Sequence, residues 1–91
     1  MIKSFRHKGL ERFYATGSKA GIQPDHAARL RRQLAVLDNL TALADLPASW
    51  KPHPLSGGLA GVHAISVSGN WRLTFEFDGS DVHLVDYRDY H

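Results

Sequence analysis

There is no cysteine in this 91-residue chain. That excludes disulfides, thiolate metal sites and a cysteine nucleophile, and it suits a reducing compartment such as the cytoplasm. No run approaches the roughly 20 apolar residues of a membrane-spanning helix. The opening MIKSFRHKG lacks the apolar centre of a secretion signal. A membrane partner is therefore not expected. A Walker-type phosphate loop is missing, because Gly57-Gly58 is not followed by Lys-Ser/Thr. No serine nucleophile elbow occurs. The six histidines, His7, His26, His53, His63, His83 and His91, are scattered and form no helical pair around a glutamate. Neither a metal nor a cofactor is expected from them. Neither charge sign dominates: the net charge is +2 and the pI near 9.2. This mild basicity fits a nucleic-acid partner and equally a plain solvated surface.

The composition that remains, 43% hydrophobic and 22% charged, is that of a folded chain and not of a disordered tail. Its length has room for one modest core, so residues 1–91 are read as a single domain.

Ile2-Lys3-Ser4-Phe5 alternates apolar and polar and reads as a short first strand. A helix is predicted over residues 7–15, with Leu10, Phe13 and Tyr14 on one face and Gly17 as its stop. Pro24 suits a first helical position. From there Ala27, Leu30, Leu34, Leu37, Leu40 and Ala44 recur at spacings of three and four, which predicts one long amphipathic helix. Arg29, Arg32 and Gln33 fall on its opposite face, with Arg31 on the flank. Residues 47–61, PASWKPHPLSGGLAG, carry too many prolines and glycines for regular structure. A loop that long in a small domain is often functional.

The last third reads as a β-meander of three alternating runs. Placing Ile65 and Val67 on the face of Leu73 and Trp71 calls for a three-residue turn, Ser68-Gly69-Asn70. A two-residue turn there would set Arg72 against Val67. The second turn fits Gly79-Ser80, with Val82 opposite Phe77 and Leu84 opposite Phe75. In this register Ser66 lies opposite Arg72, and Arg72 opposite Tyr87. A regular last strand then gives a polar row of Arg72, Tyr87, Asp89 and His91, with Tyr90 pointing the other way.

Such a row has a chemistry. RNA is cleaved without metal when its 2′-hydroxyl attacks the adjacent phosphorus. That step needs a base, an acid for the departing 5′-oxygen, and positive charge on the phosphorane. Histidine suits acid–base work near neutral pH, arginine clamps phosphate, tyrosine donates a proton or stacks on a base, and aspartate orients an imidazole. As the last residue, His91 carries an α-carboxylate beside its ring, which favours imidazolium and a general-acid role. The duller alternative is a solvated sheet face with an Arg–Tyr pair across strands.

MIKSF at the start, HPLSG in the loop, the run from Ile65 through GNWRLTFEF, and the terminal DYH together resemble the HigB toxins of the RelE/ParE superfamily. The most specific pieces are Asn70-Trp71-Arg72 and Asp89-Tyr90-His91, and the likeness covers nearly the whole chain. The resemblance implies a compact α+β, RelE-like fold. Two N-terminal helices would pack on an antiparallel sheet made of the three-strand meander and the short N-terminal strand. It implies a ribosome-dependent endoribonuclease that cuts mRNA in the decoding site of the 70S ribosome without metal, arresting translation and growth. It implies a helix-turn-helix, HigA-like antitoxin as partner, operator DNA contacted only through that antitoxin, and a cytoplasmic location. Carried over residue by residue, the catalytic positions are Asp89, Tyr90 and His91, with Arg72 on phosphate and His53 beside the site. Lys51, Ser56, Tyr87 and Arg88 are the expected substrate-binding neighbours. Several relatives place a lysine where this chain has Ser56, so a cation is lost there and its work shifts to Lys51, Arg72 or Arg88. Two other readings stay open: a toxin of the same fold that binds DNA gyrase without catalysis, as ParE-type members do, and a weakened toxin acting mainly through its antitoxin.

Overall fold

The structure is a computed structural model that describes residues 1–55 and 61–90. Ser56 and His91 lie outside the described residues. Helix α1 spans Lys8–Thr16. His7 caps it, its Nδ1 accepting the Leu10 N–H at 2.9 Å. Gly17 ends it in the left-handed region, at φ 80°, and donates to the Phe13 carbonyl. A 3-10 turn at Pro24–His26 leads into helix α2, Ala27–Asp38.

The second helix stops six residues short of Ala44. Asn39 donates its side-chain amide to the Ala35 carbonyl at 2.9 Å, which diverts a carbonyl from the helical ladder. Leu40 keeps its place in the core from the following turn, and Ala44 falls in a 3-10 turn, Leu43–Asp45. Gln33 does not face solvent as predicted. It is 0% exposed, and its amide donates to the Ser66 carbonyl at 2.7 Å. Tyr14 in turn lies outside the buried set. Its hydroxyl donates to Asp38 Oδ2 at 2.9 Å, while Asp38 Oδ1 accepts the Ile2 N–H at 2.9 Å. One carboxylate thus ties α1, α2 and the N-terminus together. Partial burial, followed by the Asp38 contact, raises the Tyr14 pKa. Helix α1 meets the chain that connects it to α2 where Gly9 touches Gly21: a Cβ on Gly9 would lie 2.6 Å from the Gly21 carbonyl oxygen.

The sheet has four antiparallel strands in the order β1 (His53–Pro54), β2 (Val62–Ser68), β3 (Trp71–Phe77), β4 (Val82–Asp89). Its fourth member is therefore a two-residue strand inside the segment expected to be irregular. That segment also holds a 3-10 turn, Ala48–Trp50, whose Trp50 is buried. The N-terminal residues run parallel to β4 and pair with it through the isolated bridges Ile2↔Val82 and Phe5↔Val85. The core lies between the helices and one sheet face, where Leu10, Phe13, Leu30, Leu34 and Leu37 meet Ile65, Leu73, Phe75 and Val85. Among the described residues, no helix is long and apolar enough to cross a membrane.

Two irregularities decide which side chains reach the other face. The β2–β3 pairing holds Ile65↔Leu73 and Ser66↔Arg72 as expected, but the next pair is Ser68↔Trp71. Val67 is the extra residue of a bulge, and the turn is the two-residue Gly69-Asn70. Gly69 takes φ 55°, which the first position of a type II′ turn requires. The bulge absorbs the offset that had argued against a two-residue turn. The second bulge has the larger effect. Phe77↔Val82 and Glu76↔His83 pair as predicted, and then the register slips by one, to Thr74↔Asp86 and Leu73↔Tyr87. Leu84 sits at this slip with φ 55°, a conformation that costs a non-glycine residue about 1–3 kcal/mol. The N-terminal segment compensates: the Leu84 N–H donates to Ser4 Oγ at 2.9 Å and the Val85 N–H to the Ser4 carbonyl at 3.1 Å.

Candidate active site

A one-residue slip exchanges the faces of everything after it. The predicted row of Arg72, Tyr87, Asp89 and His91 is therefore not formed. Arg72 pairs with Arg88, while Tyr87 pairs with Leu73 and Asp89 with Trp71 on the helix side. Tyr87 is a core residue, 3% exposed and stacked on Trp71 with ring centroids 4.5 Å apart. Its hydroxyl accepts the Gln23 N–H at 3.3 Å and lies 2.6 Å from His26 Nδ1. Burial raises its pKa, and the nearby Asp89 charge adds to the rise. Tyr90, expected to point away, comes round to the outer face with Arg88. Its backbone N–H donates to the Asn70 carbonyl at 2.8 Å, carrying the ladder one step past β4.

The outer face forms a cleft of about 270 Å³. Arg88 and Tyr90 line it, opposite Leu55 of the β1 segment and Arg6 of the N-terminal segment. Thr74, Glu76 and Asp86 make its floor and walls. The Arg88 side chain is 57% exposed; its guanidinium stands 5.3 Å from the Tyr90 ring centroid and has Nε 3.9 Å from Asp86 Oδ2. A contact that long in solvent is weak, so the cation remains available to a ligand. Tyr90 is 41% exposed. The cleft thus offers two arginines, a phenol and an aromatic face beside two carboxylates. Groups of these kinds can pair with a phosphodiester and move a proton.

Arg72 shares this face but bends back onto the turn, donating to the Gly69 carbonyl at 2.6 Å and to the Trp71 carbonyl at 3.0 Å. His53 pairs with Ala64, which puts it in the outer-face row Ala64–Thr74–Asp86. Its Nδ1 lies 3.0 Å from the Lys51 carbonyl. A carbonyl only accepts, so Nδ1 carries the hydrogen of this contact. Lys51 lines a neighbouring polar pocket and not the cleft. The structure therefore brings Arg88, Tyr90, His53 and Arg72 to one face and leaves Tyr87 and Asp89 on the other. Ser56 and His91 lie outside the described residues.

Sequence reasoning missed Arg6, Glu76 and Asp86. Glu76 was legible, since it alternates in phase with Arg72 along β3. Asp86 was not, because only the Leu84 bulge moves it to the outer face. Arg6 follows the predicted first strand, and nothing local marks it.

Comparison with known proteins bears on this arrangement. The family model described as the RelE-like toxin of the type II toxin–antitoxin system HigB matches residues 3–91. The chain is 38% identical over 92 residues to the endoribonuclease HigB of Proteus vulgaris, covering 100% of both chains. Solved structures share the fold. YafQ from E. coli superposes with TM-score 0.68 at 19% identity, over 98% of this chain and 91% of that one. A YafQ chain from the E. coli DinJ–YafQ complex gives 0.67 at 19% identity, over 98% and 91%. The YoeB dimer from Staphylococcus aureus gives 0.63 at 17% identity, over 99% and 94%.

Proposed function

Because this chain belongs to the HigB family of RelE-like toxins of type II toxin–antitoxin systems, we propose that it is an endoribonuclease that cuts mRNA on the ribosome. The observation that carries this reading is the outer-face cleft, where Arg88 and Tyr90 stand together at the base of the DYH tail. The substrate 2′-hydroxyl gives its proton to a base, and its oxygen attacks the adjacent phosphorus. The bond from phosphorus to the 5′-oxygen breaks, and that oxygen takes up a proton. The products are a cyclic 2′,3′-phosphate and a free 5′-hydroxyl. DNA has no 2′-hydroxyl and is not a substrate.

In this reading His53 acts as the base through Nε2, and Arg88 and Arg72 neutralise the phosphorane. Arg72 would have to exchange its carbonyl partners for phosphate oxygens. Tyr90 donates a proton or stacks on the base of a splayed nucleotide. Asp89 and His91 continue the same tail. His91 serves as the acid for the 5′-oxygen, and Asp89 orients the tail from the end of β4. Lys51 and Arg6 extend the binding surface, and Ser56 is a further substrate-binding residue in this reading. The chemistry uses no metal and no cofactor. The partner is an antitoxin, in line with a YafQ neighbour being solved as the DinJ–YafQ toxin–antitoxin complex, and the family resemblance makes it a helix-turn-helix protein in this reading. That antitoxin carries the pair to operator DNA, and the toxin works in the cytoplasm.

The test is mRNA cleavage on programmed ribosomes, with wild type compared against Arg88→Gln, Tyr90→Phe and a chain lacking His91. Removing one preorganised donor to a developing charge costs about 10²–10³ in rate, so each variant should lose most of its cuts while melting like wild type. Growth arrest without new mRNA ends, unchanged when His91 is removed, would overturn the proposal and favour a protein target such as gyrase.

A further inference from the structure

A second pocket, of about 430 Å³, opens where the end of β2, the start of α2 and the 3-10 turn before β1 meet. Arg29, Lys51 and His26 line it together with Ser49, Ser66 and Ser68. Neither Arg29 nor Lys51 forms an ion pair among the described residues. The Tyr87 hydroxyl accepts the Gln23 N–H and lies 2.6 Å from His26 Nδ1, which fixes the imidazole at the pocket edge. Lys51 is held at φ 52°, a strained setting for a non-glycine residue and one found at functional positions. Among the described residues, Asp25 is the one carboxylate in the lining, set against two cations. The pocket is thus rich in donors and net positive. Its one apolar lining side chain, Val67, is 0% exposed and gives a protein partner nothing to anchor on.

The pocket is in line with the cleft. Ser66 lines the pocket, Arg88 lines the cleft, and Arg72 pairs with both across the sheet. From Ser66 to Arg88 is two strand spacings, about 10 Å. Gly69, in the pocket wall, holds the Arg72 guanidinium through its carbonyl, so that cation stands at the divide between the two concavities. We infer that this pocket is a second phosphodiester site, holding the backbone of an RNA strand beside the cleft with Arg29, Lys51 and the serine hydroxyls. The inference rests on the ribonuclease reading and extends it by a binding subsite.

The phosphate can belong to mRNA or to ribosomal RNA, and one experiment separates them. Co-sedimentation would be measured across a salt series with two kinds of ribosome: empty, and carrying mRNA blocked by a 2′-O-methyl group in the decoding site. The proteins are wild type, Arg29→Gln, Lys51→Gln and, as a charge-matched control on α1, Arg12→Gln. Each lost phosphate contact should weaken low-salt binding about tenfold and flatten the slope of log affinity against log salt by about 0.7. Arg12→Gln should leave the slope as it is. Loss confined to programmed ribosomes assigns the phosphate to mRNA, and equal loss on both assigns it to ribosomal RNA; either outcome upholds the site. If wild type binds and both pocket variants keep its slope, the site is wrong while the ribonuclease reading stands. If the variants instead lose antitoxin affinity, the pocket takes an acidic protein and the inference falls. Failure of wild type to bind either ribosome sinks the ribonuclease reading itself, and the subsite with it.

Discussion

Tyr87→Phe separates the observed register from the regular one more cleanly than any other substitution. The ring keeps its stack on Trp71, so packing is preserved and only the hydroxyl is lost. Two partners go with it: His26 Nδ1 at 2.6 Å and the Gln23 N–H at 3.3 Å. His26 is half-buried and pays most, while Gln23 is exposed and can turn to water. Leaving such a group unsatisfied costs about 1–3 kcal/mol, and one largely rehydrated partner argues for the lower half, about 1–2 kcal/mol. In a domain of this size, each 1 kcal/mol lowers Tm by roughly 4–8 °C. Thermal unfolding followed by circular dichroism should therefore show a drop of roughly 5–15 °C. Cleavage by the folded variant below its transition should stay within about threefold of wild type, because Tyr87 does not reach the cleft. The opposite pattern, an unchanged Tm with cleavage lost, would place Tyr87 on the reactive face and refute the bulge at Leu84.

Deleting Leu84 should leave Val85 alone opposite Phe75 and make the ladder regular, with Tyr87 still opposite Leu73; the expected result is a chain that keeps a cooperative melt in calorimetry. Gly9→Ala should destabilise by about 1–3 kcal/mol in urea titration, because the new methyl meets the Gly21 backbone and not a movable side chain. Gln33→Leu should cost no more than about 1 kcal/mol in the same assay, since the half-buried Ser66 carbonyl loses its donor while the buried Gln33 Oε1, which has no partner among the described residues, is removed with it. The Asp78 carboxyl is held well below the usual range, first by the Asp81 N–H, then by His83 and the Ser80 N–H. A lowered folded pKa stabilises above the unfolded pKa and loses that contribution as pH falls through the folded one. Wild type should therefore out-melt Asp78→Asn at neutral pH, with the gap closing only below about pH 4.

Much of the fold was legible because it rests on local periodicity. The stripe Leu30, Leu34, Leu37 specifies a buried helix face wherever the helix ends. Gly17 and Pro24 punctuate it through backbone constraints that act within a few residues. The alternation from Trp71 to Phe77 made β3 a half-buried strand, and the pairing of Ile65 with Leu73 followed from matching apolar faces. The Arg72 strand and the DYH tail could likewise be singled out as a candidate site from the residues alone. Which face the tail presents could not be read this way. Alternation assigns faces only within an unbroken stretch, and a single extra residue reverses every assignment after it. The bulge at Leu84 is held by Ser4, eighty positions away in the chain. The Gln33 contact with Ser66, beside the other bulge, spans 33 positions. Only the tertiary structure brings those partners together, and so only it decided that Tyr87 belongs to the core and that Arg88 and Tyr90 belong to the cleft.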